Sequence, residues 1–194
     1  AEVPVEFPKP VIKSAQTQSL LPVEDELQNR IDLTHIHFVT IDGEDAKDFD
    51  DAVCVSQENE QLILWVAIAD VAHYVTKDQL LDREAMFRGN SIYLAHRVIP
   101  MLPHELSSGI CSLKPNELRL SLVCKITYNL HGILQKYELF EAVIKSRFRF
   151  TYTLVEYLFA NPTERKTNCT SEIETSLLLM QKLAELLMKQ KNER

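Results

Sequence analysis

Between Asp42 and Asp51 the chain places six carboxylates in ten positions and offsets them with one lysine, Lys47. Carboxylates this close repel and raise one another's pKa, so the segment is either a solvated acidic loop or a site whose carboxylates face a cation. The surroundings favour the site. An apolar stretch from Ile36 to Ile41, with His37 and Thr40 interspersed, leads in, and Ala52-Val53-Cys54-Val55 leads out. That is the pattern of a loop strung between two strands, not of an acidic tail.

Asp42, Asp48, Asp50 and Asp51 are spaced so that a strand end and a tight loop could turn all four carboxylates toward one point. Hard oxygen donors in that number suit magnesium, with manganese as the alternative. An EF-hand is excluded: counted from Asp48 the required glycine is Val53, and counted from Asp42 the alternate positions include Ala46. With no histidine or cysteine in the set, zinc is disfavoured. Two ions held by carboxylates are a device for phosphodiester hydrolysis, one activating water and one stabilising the leaving oxygen.

Composition limits the alternatives. At 45% hydrophobic and 25% charged, 194 residues suffice for a core. The net charge of −7 argues against a broad basic face for nucleic acid but not against a focused site, since much of the excess acid lies in the cluster itself. Cys54, Cys111, Cys124 and Cys169 form no C-x-x-C pair. Apolar runs such as Leu62–Ala69 fall far short of the roughly 20 residues of a membrane span, and no signal peptide opens the chain. A cytoplasmic protein without membrane contact is expected.

Along the chain, residues 1–30 are expected to be a linker from a preceding domain, extended or poorly ordered over 1–22. A short helix from Pro22 to Leu27 follows. Strands are expected near 36–42, 51–56 and 62–70, the last buried on both faces. A helix is expected over 77–88, stopped by Gly89, then an extended Ser91–Leu94 and a helical turn from Pro103 to Gly109. The segment 118–150 reads as a hairpin turning at Asn129-Leu130-His131-Gly132. A helix from Thr151, a loop around Pro162 and Thr163, and a closing helix over 172–192 complete the list. Ile173, Leu177, Met180, Leu183, Ala184 and Leu187 form the apolar stripe of that last helix. The fold class is α+β, a mixed or antiparallel sheet with packed helices.

The run Val39-Thr40-Ile41-Asp42-Gly43-Glu44-Asp45-Ala46-Lys47-Asp48-Phe49-Asp50-Asp51-Ala52-Val53 resembles the signature of the ribonuclease II superfamily, nearest its bacterial ribonuclease R branch. Val66–Val75 is similar to a second block of that family. Ser91–Leu94, Val98–Pro103 and Leu106–Leu113 are similar to a third. The resemblance is collinear over about 31–160 and identifies 31–194 as the N-terminal portion of an RNB-type catalytic domain. It implies a hydrolytic exoribonuclease working from the 3′ end of single-stranded RNA, releasing nucleoside 5′-monophosphates with magnesium. By position it makes Asp42, Asp48, Asp50 and Asp51 the metal ligands and Asp50 and Asp51 the catalytic pair. Tyr93 becomes the aromatic that stacks on a base near the 3′ end. The family's catalytic arginine and glutamate lie in blocks beyond this chain, so the 194 residues alone are expected to show little or no nuclease activity. Cold-shock domains before and an S1 domain after belong to the same expectation.

Plainer readings stand beside these. Tyr93 would otherwise be a core aromatic, and Asp70 is read as a helix N-cap or strand-end group, with His73 and Tyr74 as packing residues. Arg88, Arg97, Arg119, Lys145, Arg147 and Arg149 are candidates for an RNA channel, a minority of which is expected to serve it. The rival function is a non-catalytic RNA- or metal-binding remnant of the same fold.

Overall fold

The computed structural model describes residues 4–20, 23–161 and 168–192. Its centre is the near-continuous apolar run that forms β4 (Gln61–Ala69), paired along its length with β3 (Asp51–Glu58) on one side and β7 (Leu118–Asn129) on the other. Outward from these lie β8 (Leu134–Lys145) and the short β1 (Ile31–Asp32) on one flank, and β2 (Val39–Asp42) and β9 (Phe148–Thr151) on the other. Pairing is antiparallel from β8 through to β2, and both edge strands join in parallel, β1 with β8 and β9 with β2. The fold is α+β with a mixed sheet, as the sequence led us to expect.

The two-residue period of β4 sorts its side chains between two cores. Ile63, Trp65, Ala67 and Ala69 enter the larger one, with Phe38, Leu120, Val123 and Ile144. Leu62 and Leu64 pack on the other face against Leu183 and Leu186 of α5 (Ser171–Asn192). Ile173 and Leu177 of the same helix meet Val39 and Phe150, joined by Leu154 of α4 (Tyr152–Ala160). Burial of β4 on both faces holds except toward its end, where Ile68 is exposed.

The expected hairpin is β7–β8. Its turn is held by Asn129, whose Oδ1 accepts from the His131 and Ile133 amides, both at 3.0 Å. Gly132 has φ +76°, and a Cβ there would lie 2.9 Å from the Cβ of Leu186, so both the turn and the docked α5 require glycine. The return arm is not continuous to Phe150. It breaks at Ser146-Arg147, where the Ser146 hydroxyl donates to the Leu113 carbonyl at 2.8 Å and the Arg147 amide donates to the Phe38 carbonyl at 2.7 Å. The chain then crosses to the opposite edge as β9.

The N-terminal segment corrects the sequence reading. Residues 9–19 are not extended but form α1 (Lys9–Ser19), with Pro10 in its first turn. Val11 and Ala15, one turn apart, are buried in the larger core. Two apolar contacts in a short polar stretch carry too weak a period to be seen in sequence. Arg88, at the end of α3 (Leu80–Arg88), fastens this segment by donating to the Pro4 and Glu6 carbonyls while its guanidinium lies 3.6 Å from the Phe7 ring centroid.

Three shorter helical pieces complete the described chain: a 3-10 helix (Val23–Gln28), α2 (Val71–Tyr74) and a π turn (Leu106–Ile110). A two-stranded hairpin, β5 (Ile92–Leu94) with β6 (Arg97–Ile99), stands apart from the main sheet. Pro22, Pro162 and Thr163 lie outside the described residues. No helix among the described residues is long and apolar enough to cross a membrane.

Candidate active site

The acidic segment is the connection between β2 and β3, so its first and last aspartates sit at strand ends: Asp42 closes β2 and Asp51 opens β3. Between them, the Ala46 amide donates to the Gly43 carbonyl at 3.2 Å, which makes a turn with Glu44 and Asp45 exposed in it. Phe49 turns into the core, leaving Asp48 half-buried and Asp50 exposed on either side of it.

Groups distant in sequence tie this loop down. The Arg149 Nη2 donates to the Gly43 and Glu44 carbonyls, both at 2.7 Å, and its guanidinium lies 5.3 Å from the Phe49 ring centroid. The Ser112 hydroxyl donates to the Lys47 carbonyl at 2.8 Å and accepts from the Phe49 amide at 3.0 Å. The Leu113 amide donates to the Phe49 carbonyl, and the Ala69 amide to the Asp50 carbonyl, each at 2.9 Å.

The carboxylates held this way interact. Asp42 is raised above the usual carboxylate range by partial burial first, then by the Asp51 charge, with Asp50 and Asp48 adding to it and Arg149 opposing. Asp50 is raised by partial withdrawal from water and then by Asp48 and Asp51. The four aspartates singled out in sequence therefore form one electrostatic unit. As placed, however, they do not close on one point: no group of three or more His, Cys, Asp or Glu side chains among the described residues is gathered tightly enough to hold a metal ion. The donor set itself, oxygen throughout, fits a hard divalent cation.

Tyr93, on β5, is not a core aromatic. It is 69% exposed and its hydroxyl donates to Asp48 Oδ2 at 3.5 Å, which puts an open aromatic face beside the carboxylates. Burial and the Asp48 and Asp50 charges raise its pKa. Most of the candidate cations prove structural. Arg88 holds the N-terminal segment, and Arg119 donates to the Ser112 and Gly109 carbonyls and pairs with Glu117. Arg147 donates to the Thr34 carbonyl, and Arg149 holds the acidic loop. Arg97 remains exposed on β6. Asp70 caps α2 through the His73 amide at 3.3 Å and pairs with the buried Arg30 at 2.8 Å. Tyr74 is buried and its hydroxyl is pushed far up by that burial.

A family model described as the RNB domain matches residues 30–194. The chain belongs to the RNB domain family. Ribonuclease R of Vibrio parahaemolyticus is 44% identical to it over 164 residues, 84% of this chain and 20% of that protein. Ribonuclease R of Escherichia coli K12 is 46% identical over 158 residues, 81% and 19% of the two chains. Mycoplasma genitalium RNase R, solved in complex with double-stranded RNA, is 36% identical and superposes with a TM-score of 0.92 over 98% of this chain and 34% of that one. Yeast Ssd1, described as a pseudonuclease, shares the fold at a TM-score of 0.70 and 17% identity. This RNB chain spans about a fifth of the length of the curated relatives it matches.

The aspartates were visible in sequence through residue type and spacing, whereas Tyr93 was singled out only by the family resemblance. Ser112 and Arg119 were not read as site-holding residues. A lone serine 63 or 65 positions from its partners gives no local signal.

Proposed function

We propose that this chain forms the carboxylate-bearing part of a hydrolytic exoribonuclease that shortens single-stranded RNA from its 3′ end and releases nucleoside 5′-monophosphates. The observation that carries the proposal is the placement of Asp42, Asp48, Asp50 and Asp51 along one tethered connection between β2 and β3, with the exposed Tyr93 hydroxyl 3.5 Å from Asp48. Family membership and the RNA complexes of Mycoplasma genitalium RNase R, one with double-stranded and one with ribose-methylated single-stranded RNA, support it.

In this reading the four aspartates hold magnesium, with manganese as a substitute, and Asp50 and Asp51 stand nearest the reaction. Magnesium held there would supply an acidified water and charge neutralisation at the scissile phosphate. The chain's own residues do the rest. Tyr93 offers a stacking platform to the terminal base, a contact every base can make. Its hydroxyl places that platform beside Asp48. Arg149 keeps the loop from relaxing away from that platform. A cytoplasmic setting and flanking cold-shock and S1 domains complete the proposal.

The test is product analysis with the protein made from the complete reading frame that encodes these residues. Labelled single-stranded RNA and magnesium should yield nucleoside 5′-monophosphates stepwise from the 3′ end, and Asp50→Asn should abolish the yield. RNA that is bound but left intact by the unaltered protein would instead favour the non-catalytic remnant.

A further inference from the structure

Ser112 is 1% exposed, and its hydroxyl is committed on both sides to the acidic loop. It donates to the Lys47 carbonyl at 2.8 Å and accepts from the Phe49 amide at 3.0 Å, the two residues that bracket Asp48. One oxygen atom thus bridges backbone groups two residues apart, which sets the direction of the chain through Asp48 and into Asp50. The serine is itself held. Its carbonyl accepts from the buried Arg119 Nε and from the Lys114 amide, both at 2.7 Å, and its amide donates to the Gly109 carbonyl at 3.2 Å. The next residue, Leu113, continues the clasp through its amide on the Phe49 carbonyl.

The loop needs such a clasp. Six carboxylates lie within ten positions there, and like charges this close repel, so without an outside tether the backbone at Asp48 would relax toward solvent and widen the site. We infer that Ser112 is a positioning residue for the carboxylate site, its hydroxyl holding the Lys47–Phe49 backbone so that Asp48 and Asp50 are presented together to a divalent cation. The inference rests on the proposed metal-dependent function and adds to it a residue that touches neither metal nor RNA. Groups that orient metal ligands from behind change metal affinity by about 10–100-fold when removed.

Ser146 provides the control. It is equally buried, and its hydroxyl donates at 2.8 Å to the carbonyl of Leu113, so it supports the clasp from behind, with no hydrogen bond of its own to the acidic loop among the described residues. The experiment is a Mn2+ titration of the purified protein followed by electron paramagnetic resonance, with near-ultraviolet circular dichroism to verify folding. Ser112→Ala should weaken Mn2+ binding on the order of tenfold, Ser112→Thr should recover most of it, and Ser146→Ala should lower thermal stability while leaving the midpoint within about twofold of the unaltered protein. If Ser112→Ala does not fold, Ser112→Cys, a weak donor of similar size, replaces it and should shift the midpoint in the same direction. A midpoint unchanged by the Ser112 variant that folds, or shifted equally by Ser146→Ala, overturns the positioning role alone. Absence of Mn2+ binding by the unaltered protein overturns the metal site and this inference with it.

Discussion

Asp50 carries the clearest conflict between function and stability. Its charge is disfavoured first by partial loss of water and then by Asp48 and Asp51, so neutralising it relieves both in the protein without metal. Asp50→Asn should abolish RNA hydrolysis yet raise metal-free stability by a few tenths to about 1 kcal/mol, read by thermal denaturation in chelator. A loss of stability would show that the aspartate is held by something other than its neighbours' repulsion. Tyr93 makes a simpler case: Tyr93→Ala should weaken single-stranded RNA binding by about 1–3 kcal/mol and Tyr93→Phe by far less, because the ring does the stacking. Fluorescence anisotropy with a short labelled RNA separates the two. The cysteines bear on the site only by their inertness. Burial pushes Cys111 up to about 12 and raises Cys54 as well, so at pH 8 in native protein both should resist iodoacetamide and react only after denaturation, as peptide mass mapping would reveal. Residue identities were the most legible layer of the sequence. Aspartates packed this densely have few uses, whereas Ser112 looks like any serine until the fold places it.

At the scale of elements, strands and helices with a strong period were readable, and those defined by partners were not. The run that became β4 announced itself through length and apolarity, and the stripe of α5 through spacing. The apolar stripe of the closing helix is only partly covered. It buries Ile173, Leu177 and Leu183 and leaves Leu178 and Met188 exposed. Helix α1 was invisible because its contribution is two small contacts, Val11 and Ala15, in a polar surround. If those contacts matter, Val11→Ala should cost about 1–3 kcal/mol in urea denaturation, whereas Leu178→Ala in α5 should cost less than about 0.5 kcal/mol. Equal, negligible effects would return residues 9–19 to the status of a lead-in. The break after β8 belongs to the same class: nothing in Lys145-Ser146-Arg147 says that the return arm leaves its hairpin, because the reason is hydrogen bonding to Leu113 and Phe38 across the molecule.

The whole molecule explains why the acidic segment is a tethered connection and not a free loop. The sheet order places β9 beside β2 in parallel, with Asp42 opposite Thr151, and thereby brings Arg149 to carbonyls 105 and 106 residues earlier. The same topology sets the end of β4 and the segment around Ser112 against the other side of the loop. Strand order and parallel edges leave no trace in a two-residue period, which reports burial but not partners, so this framing could not be read ahead. The loop joins these long-range tethers to the four coupled carboxylates and Tyr93. The most direct measurement of the central claim is the stoichiometric binding of Mn2+ by electron paramagnetic resonance, comparing the unaltered protein with an Asp42→Asn, Asp50→Asn double variant of verified fold. Bound Mn2+ in the first and its loss in the second is the expected result; undiminished binding in the double variant, or none in either, would contradict the account.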